Sequence, residues 1–459
     1  MAKSSAAPRA SEGVVVPRIA ATNNAAGGKG LCGGQVEGAS TRESMPGRTG
    51  SNSSDGRPSI DKVRQWQRRL WVAAKRSPER RFHALLDRIY RRDVLWAAWR
   101  RVRANRGAAG VDCETLDRVE QYGVERMLAE LHRLLHTGAY RPQPVLRRYI
   151  PKADGRQRPL GIPTVRDRVA QMATTIVLEP IFEADFRRSS YGFRPTRSAT
   201  QALETLRVHG ARGGNHVLDA DIRDYFGSID HTKLLTLVAR RISDRRVLKL
   251  LRQWLAAGVM EEGQWRATLS GTPQGGVISP LLSNIYLHVL DRVWDDRCAH
   301  LGTLVRYADD FVVMCDTKAA VEEARQRVSL VLTRLGLELH PEKTRLVELS
   351  RGREGFDFLG CHLRKRLSGP IWERTHRRVF YLQRQPSQRA MARVRARVRE
   401  LTSRGRCHDE RLRGLLLKRA GSRLRPGRAN AWRRPFFEAL GLCRLRGSIQ
   451  YPGVAHATT

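Results

Sequence analysis

Two adjacent aspartates, Asp309 and Asp310, lie between two short apolar runs at residues 304–307 and 311–315. Apolar runs of this length, rich in β-branched residues, predict buried strands, and the polar break between them predicts a tight turn. Adjacent carboxylates at a hairpin tip repel each other unless a cation holds them, and hard oxygen ligands favour Mg²⁺. A solvated turn is the alternative for these residues alone, because Asp is common in turns.

A third carboxylate, Asp221, is a candidate partner for this pair. Residues 216–222 predict a strand, and Asp221 falls at its end, before a turn into a helix. A carboxylate at a strand end can face a hairpin tip across a sheet. We assign no catalytic role to Asp219, which should point to the opposite face from its neighbours, or to Asp224, which lies in the turn.

Residues 147–163, RRYIPKADGRQRPLGIP, predict a β-hairpin that turns at an Asp-Gly pair. Lys152 and Arg158 flank this turn, and two cations on a short, stiff hairpin suit a triphosphate. A basic hairpin taken alone is more often plain surface. Thr164 then predicts the start of a helix that runs through Glu179.

Residues 269–291 predict a polar glycine loop followed by a helix. Such a loop lets backbone approach a ligand closely, and its Gln274 offers both a donor and an acceptor to a base or sugar edge. Phe226 begins the element that follows Asp221. Lys343 lies just before a predicted strand, and FDFLG at 356–360 predicts another.

The charge and composition of the chain indicate which kinds of partner it can bind. The chain has 459 residues, with 84 Lys and Arg against 45 Asp and Glu, a formal net charge of +39. A globular protein this basic predicts a polyanionic partner, with nucleic acid first. No apolar run approaches the roughly 18 residues of a membrane span, so we expect no membrane partner. Seven scattered cysteines without a C-x-x-C pair indicate reduced thiols and a cytoplasmic protein.

The order of these features carries more information than any one of them. A basic hairpin, a strand-end aspartate, a QG-x-x-x-SP loop at 274–280, a YADD hairpin, a lysine turn and an FLG strand follow each other. This series resembles the reverse transcriptases of group II intron-encoded proteins, from about Trp66 to about Ser387. The resemblance implies an α+β right-hand polymerase with fingers, a palm built on an antiparallel sheet, and a helical thumb or maturase region.

The implied division of the chain has four parts. Residues 1–58, rich in Gly, Ser, Ala and Asn, predict a disordered leader. The resemblance then implies an N-terminal extension and fingers at 59–214, a palm at 215–365, and a thumb or maturase-like region at 366–459.

The activity implied by the resemblance is RNA-directed DNA polymerisation, copying intron RNA into DNA by two-metal nucleotidyl transfer. Asp221, Asp309 and Asp310 would hold two Mg²⁺ ions, one activating the primer 3′-hydroxyl and the other neutralising the triphosphate and the leaving pyrophosphate. The implied partners are group II intron RNA as template, a DNA primer or target, and deoxynucleoside triphosphates. The implied substrate contacts are Lys152 and Arg158 on the triphosphate, Phe226 as a gate against the ribose 2′-hydroxyl, Gln274 near the templating pair, and Lys343 assisting pyrophosphate departure.

Two other functions stay open at this point. One is an RNA-binding splicing cofactor that makes no use of a polymerase, which three intact aspartates argue against. The other is a stand-alone or defence-associated reverse transcriptase. A splicing (maturase) role is also open, because the family's Arg-Gly-Trp and Tyr-Phe segment is missing after about His408. We expect the residues from there onward to be read out of the ancestral frame, with a diverged domain as the rival interpretation.

Overall fold

A computed structural model describes residues 60–402, except 152–154, 156, 268–269, 273–274, 353, 370–371, 374–375 and 377. The predictions for Lys152, for Gln274, for the leader and for the tail after residue 402 lie outside the described residues. The chain separates into two compact units, one up to Gln385 and one from Pro386. The four-part division made from the sequence stays a prediction.

The first unit combines helices with mostly antiparallel strands, which confirms the predicted α+β class. The helices of this unit are α1 (Ile60–Arg76), α2 (Leu86–Ile89), α3 (Arg92–Ala104), α4 (Leu116–Tyr122), α5 (Val124–Thr137), α6 (Val165–Glu183), α7 (Ala199–Arg212), α8 (Tyr225–Ser228), α9 (His231–Ala239), α10 (Arg245–Ala256), α11 (Ser279–Val293) and α12 (Lys318–Leu335). A π-helical turn, Trp294–Cys298, extends α11, and a 3-10 turn occupies Ser350–Gly352. In the second unit a helix spans Gln388–Thr402.

The strands form three sheets. Their bounds are β1 (Val145–Pro151), β2 (Gln157–Ile162), β3 (His216–Ala220), β4 (Val259–Glu261), β5 (Gln264–Arg266), β6 (Thr303–Tyr307), β7 (Asp310–Cys315), β8 (Arg345–Glu348), β9 (Gly355–Phe358), β10 (Cys361–Leu367) and β11 (Phe380–Pro386). The sheet orders are β2-β1-β4-β5, β6-β7-β3-β8 and β11-β10-β9. No helix among the described residues has the length and apolarity that a bilayer crossing requires.

The sheet β6-β7-β3-β8 is antiparallel throughout, and its strand β7 is buried on both faces. Side chains alternate along a strand, so Phe311 and Val313 of β7 join the larger core with α11 and α12. Val312 and Met314 point the other way, into a second core with α7. Burial on both faces is why β7 reads as an unbroken apolar run.

Helix α6 lies at the centre of the N-terminal helices, and most of its side chains are buried. Thr164 caps its start as predicted, accepting from the Asp167 amide at 3.1 Å. Its predicted end at Glu179 is wrong, because the helix continues through Pro180 to Glu183. Proline has no N–H to give the carbonyl four residues earlier. Gln67 of α1 supplies the missing donor, with its Nε2 at 2.8 Å from the Ile176 oxygen.

Candidate active site

The hairpin formed by β6 and β7 carries Asp309 and Asp310 at its tip, as predicted. Tyr307 pairs with Asp310, so Ala308 and Asp309 form a two-residue turn. Ala308 has a φ of 60°, in the left-handed region that costs an L residue about 1–2 kcal/mol. The surrounding structure must therefore hold this turn in place.

Asp221 follows directly after β3 and reaches the same edge of the sheet. The last residue of β3, Ala220, pairs with Phe311, which is next to Asp310 in β7. The backbone of Asp221 is fixed by the His340 amide, which donates to its carbonyl oxygen at 2.8 Å. This register places the third predicted carboxylate beside the other two.

Lys343 lies in the loop before β8, where the sequence places it, and its ammonium group forms an ion pair with the Asp221 carboxylate. Both side chains retain solvent contact, with 49% of Lys343 and 22% of Asp221 exposed. The ammonium group thus stands where a cation would meet this carboxylate. Two residues predicted from separate motifs are in direct contact.

The carboxylates at this edge are close enough to repel one another. Burial raises the pKa of Asp309, and the charge of Asp221 raises it further. Although part of Asp310 is exposed, desolvation and then the charges of Asp309, Asp221 and Asp219 raise its pKa to about 7. Such mutual destabilisation of the charged forms is what bound cations would relieve.

Asp219 is a fourth carboxylate that the sequence analysis set aside. Its side chain accepts from Arg345 Nη2 at 2.8 Å, and the two residues lie opposite each other in β3 and β8. Desolvation raises its pKa and the Arg345 hydrogen bond opposes that shift. The signal for its position was the two-residue period of a strand, which places residue 219 on the same side as residue 221.

Arg158 lies in β2, which with β1 forms the basic hairpin predicted from the sequence. β1 and β2 pair from Leu146 with Ile162 to Pro151 with Gln157, which confirms the hairpin. The positive charge of Arg158 lowers the pKa of Asp309 against the burial that raises it, so the guanidinium lies within electrostatic reach of that carboxylate.

Phe226 lies in the short helix α8 and is half-buried, with its ring 5.2 Å from the Tyr225 ring. The loop before α11 packs against it, because the Thr272 amide donates to the Phe226 carbonyl oxygen at 2.8 Å. The same loop reaches β2, since a Cβ on Gly275 would lie 2.8 Å from the Gly161 oxygen. The loop that contains Gln274 therefore bridges Phe226 and β2.

The donor set at this edge suits a hard divalent cation, because it consists of carboxylate oxygens. Within the part of the chain that the structure describes, no three His, Cys, Asp or Glu side chains converge as a ready-made metal cluster. The carboxylates interact electrostatically, and the Asp221 carboxylate is paired with Lys343. Asp221, Asp309 and Asp310 are the side chains that could hold a metal ion here.

An antiparallel sheet with three carboxylates at one edge, within electrostatic reach of a basic hairpin, is the arrangement expected of a template-directed nucleic acid polymerase. Residues 150–363 match the family described as reverse transcriptase (RNA-dependent DNA polymerase). Protein YkfC of Escherichia coli (strain K12) is 37% identical over 346 residues, which are 66% of this chain and 89% of that protein.

Two further relatives are connected with introns by their names. The group II intron-encoded protein LtrA of Lactococcus lactis subsp. cremoris is 31% identical over 355 residues, covering 63% of this chain and 58% of that protein. An uncharacterized 91 kDa protein in the cob intron of Schizosaccharomyces pombe is 36% identical over 207 residues, covering 45% of this chain and 25% of that protein.

The chain belongs to the reverse transcriptase family, in the group that includes the group II intron-encoded proteins. This membership confirms the predicted family, the right-hand polymerase fold and the enzyme class, that of RNA-directed DNA polymerases. Enzymes of this family use divalent metal ions and act on nucleic acids.

Proposed function

We propose that this chain copies group II intron RNA into DNA, with nucleotidyl transfer at Asp221, Asp309 and Asp310. One observation carries the proposal: the three carboxylates lie at one sheet edge, where desolvation and the charges of Asp309 and Asp221 raise the pKa of Asp310 to about 7. Carboxylates gathered in this way destabilise one another's charged forms, and bound cations would relieve that repulsion.

Two Mg²⁺ ions are the cofactor proposed for this site, held by the same three carboxylates. Bound there, they would supply Lewis-acid activation of the primer 3′-hydroxyl and charge neutralisation at the leaving pyrophosphate. Lys343 pairs with Asp221 without metal, and its exposed ammonium group is free to turn towards an incoming triphosphate. The change of partner exchanges one charge-assisted contact for another.

The substrate side of the site is formed by the fingers hairpin and α8. From its position in β2, Arg158 offers a planar guanidinium to the phosphate oxygens. Lys152 of the same hairpin is proposed to bind the phosphates with it. Phe226 is proposed to lie against the deoxyribose and to exclude a 2′-hydroxyl by contact. Gln274, in the loop that packs on Phe226, is proposed to approach the templating base pair.

The partners proposed are the structured intron RNA and a DNA primer or target. The net charge of +39 supports a polyanionic partner. The helix Gln388–Thr402 supports a splicing role for the region from residue 366, because it exposes arginines along its length. The cysteines of the described residues are unpaired, which supports a reducing compartment, the cytoplasm.

Primer extension on an RNA template, run beside an RNA-binding titration, tests the proposal. Asp309→Asn keeps the shape of the side chain and removes its charge, so DNA synthesis should be abolished while RNA affinity stays unchanged. Asp316→Asn is the matched control, because it makes the same charge change just beyond the opposite end of β7, at an exposed carboxylate.

The outcomes separate the interpretations. Undiminished synthesis by the Asp309 variant would show that this carboxylate holds no essential metal. Loss of RNA binding together with synthesis would point to a structural role for Asp309. A splicing assay with the same proteins tests the maturase role separately, since a splicing cofactor that needs no polymerase should retain activity in the Asp309 variant.

A further inference from the structure

A buried ion pair lies beneath the proposed catalytic turn. Arg306 of β6 is fully buried, and so is its partner Asp291 of α11. The contact is bidentate, with Nε to Oδ1 at 2.7 Å and Nη2 to Oδ2 at 2.5 Å. The desolvation of two charges offsets much of their attraction, so a buried pair is weak evidence for a stabilising role. The remaining donors of Arg306 indicate a different one.

The other guanidinium hydrogens go to groups around the turn. Nη1 donates to the Ala308 carbonyl at 2.9 Å and to Asn284 Oδ1 at 3.1 Å, and Nη2 donates to Ser190 Oγ at 2.8 Å. With the two bonds to Asp291, all five N–H donors of Arg306 have acceptors. Ala308 is the residue with φ of 60° that immediately precedes Asp309.

Residues 189–192 also contact the turn and the strand before it. Asn284 Nδ2 donates to the Gly192 carbonyl at 2.8 Å, which connects the guanidinium network to residues 189–192. The backbone of Gly192 in turn lies directly against Ala308, where a Cβ would come within 3.1 Å of the Ala308 Cα. The backbone amide of Arg306 donates to Ser189 and its carbonyl accepts from Tyr191, both at 2.8 Å.

We propose that Arg306, oriented by Asp291, is a positioning residue that fixes the Ala308–Asp309 turn, and so fixes where the Asp309 carboxylate meets metal. The inference rests on the proposed function, since it takes Asp309 as a metal ligand. Arg306 acts through the backbone and touches no substrate. A ligand about 1 Å out of place loses on the order of 100-fold in rate, because the reacting geometry is missed.

Arg306→Lys tests the inference, because it retains one positive charge and cannot fill five acceptors. We expect a higher Mg²⁺ concentration for half-maximal primer extension and a kcat about 10- to 100-fold lower. The KM for deoxynucleotide and the affinity for template–primer should not change, because Arg306 contacts neither.

Arg241→Lys is the matched control for a purely structural effect. Arg241 is likewise buried and ion-paired, with Asp185 at 3.0 Å, and it donates to the carbonyl of Ala74 in the last turn of α1 and to that of Ser77 just after the helix. The Arg241→Lys variant should have a lower melting temperature and an unchanged Mg²⁺ midpoint. All rates are compared at a temperature at which each variant is fully folded.

An unchanged Mg²⁺ midpoint in Arg306→Lys, or the same shift in Arg241→Lys, would overturn the inference. If Arg306→Lys does not accumulate as folded protein, Asn284→Ala takes its place, since it removes only one acceptor of Arg306 and the bond to Gly192. Asn284→Ala should raise the Mg²⁺ concentration for half-maximal extension by less than Arg306→Lys. An unchanged Mg²⁺ midpoint in Asn284→Ala would also overturn the inference. Full activity of Asp309→Asn would refute the proposed function itself, so the two failures are distinguishable.

Discussion

Gly192→Ala places one methyl group against the backbone of the proposed catalytic turn. A Cβ built at Gly192 would lie 2.9 Å from the Tyr307 carbonyl carbon and closer still to the Ala308 nitrogen, whereas ordinary contact begins at 3.4 Å. Backbone atoms cannot rotate away as a side chain would. The turn or the Gly192 segment must therefore move, by about 0.5–1 Å, and a misplacement of that size is expected to cost about 10- to 100-fold in kcat.

The assay is single-turnover primer extension at saturating deoxynucleotide, with thermal melting on the same samples. Overpacking of this kind should also destabilise the fold by about 1–3 kcal/mol. Gly110→Ala is the matched control, because its Cβ would lie 2.7 Å from the backbone of Thr164 at the start of α6. It should lower stability to a similar degree without the loss of rate. A wild-type rate for Gly192→Ala, or equal rate losses in both variants, would refute the reasoning.

Three further predictions concern the sugar, the metal and the RNA. Phe226→Ala should admit ribonucleotides, because it opens space beside the sugar; unchanged discrimination in competition assays would refute the gate assignment. Asp310, with a folded pKa of about 7 against 3.8 for the free side chain, retains its proton between those values and destabilises the metal-free fold as pH rises through them. Mg²⁺ should therefore raise the melting temperature more at about pH 8 than at about pH 6, and Asp310→Asn should remove most of that difference. RNA affinity should fall on the order of a thousandfold between about 50 and 200 mM salt if roughly six or more phosphates are neutralised, and a flat response would mean the basic faces bind no RNA.

The hairpin that carries Asp309 and Asp310 was predictable because every signal for it is local. Two apolar runs bracket the aspartates, and a two-residue turn fixes the register once both strands form. The same holds for Asp221, whose position follows from where a short strand ends. The sequence therefore located the three candidate carboxylates without any knowledge of the packing around them.

Arg306 gave no such signal, because its role depends on distant partners. Its acceptors Asp291, Asn284 and Ser190 lie 15, 22 and 116 residues away in the chain. From the sequence alone, one arginine between Val305 and Tyr307 is an interruption of an apolar strand. The predicted end of α6 at Glu179 was wrong for a related reason. The donor that replaces the missing N–H of Pro180 comes from another helix, α1.

The tie between α1 and α6 has a consequence for the order in which the chain can fold. Gln67 meets the Ile176 oxygen, and Lys75 donates to the Ala184 oxygen at 3.0 Å, both across 109 residues. The equal spacing means that the two helices run side by side in the same direction. During synthesis α1 leaves the ribosome long before α6 has been made. The apolar face of α1 therefore stays exposed until α6 packs against it. A chain started after Gln67 should leave the Ile176 carbonyl bare in the interior, and a nascent chain halted before α6 should be open to proteases along α1.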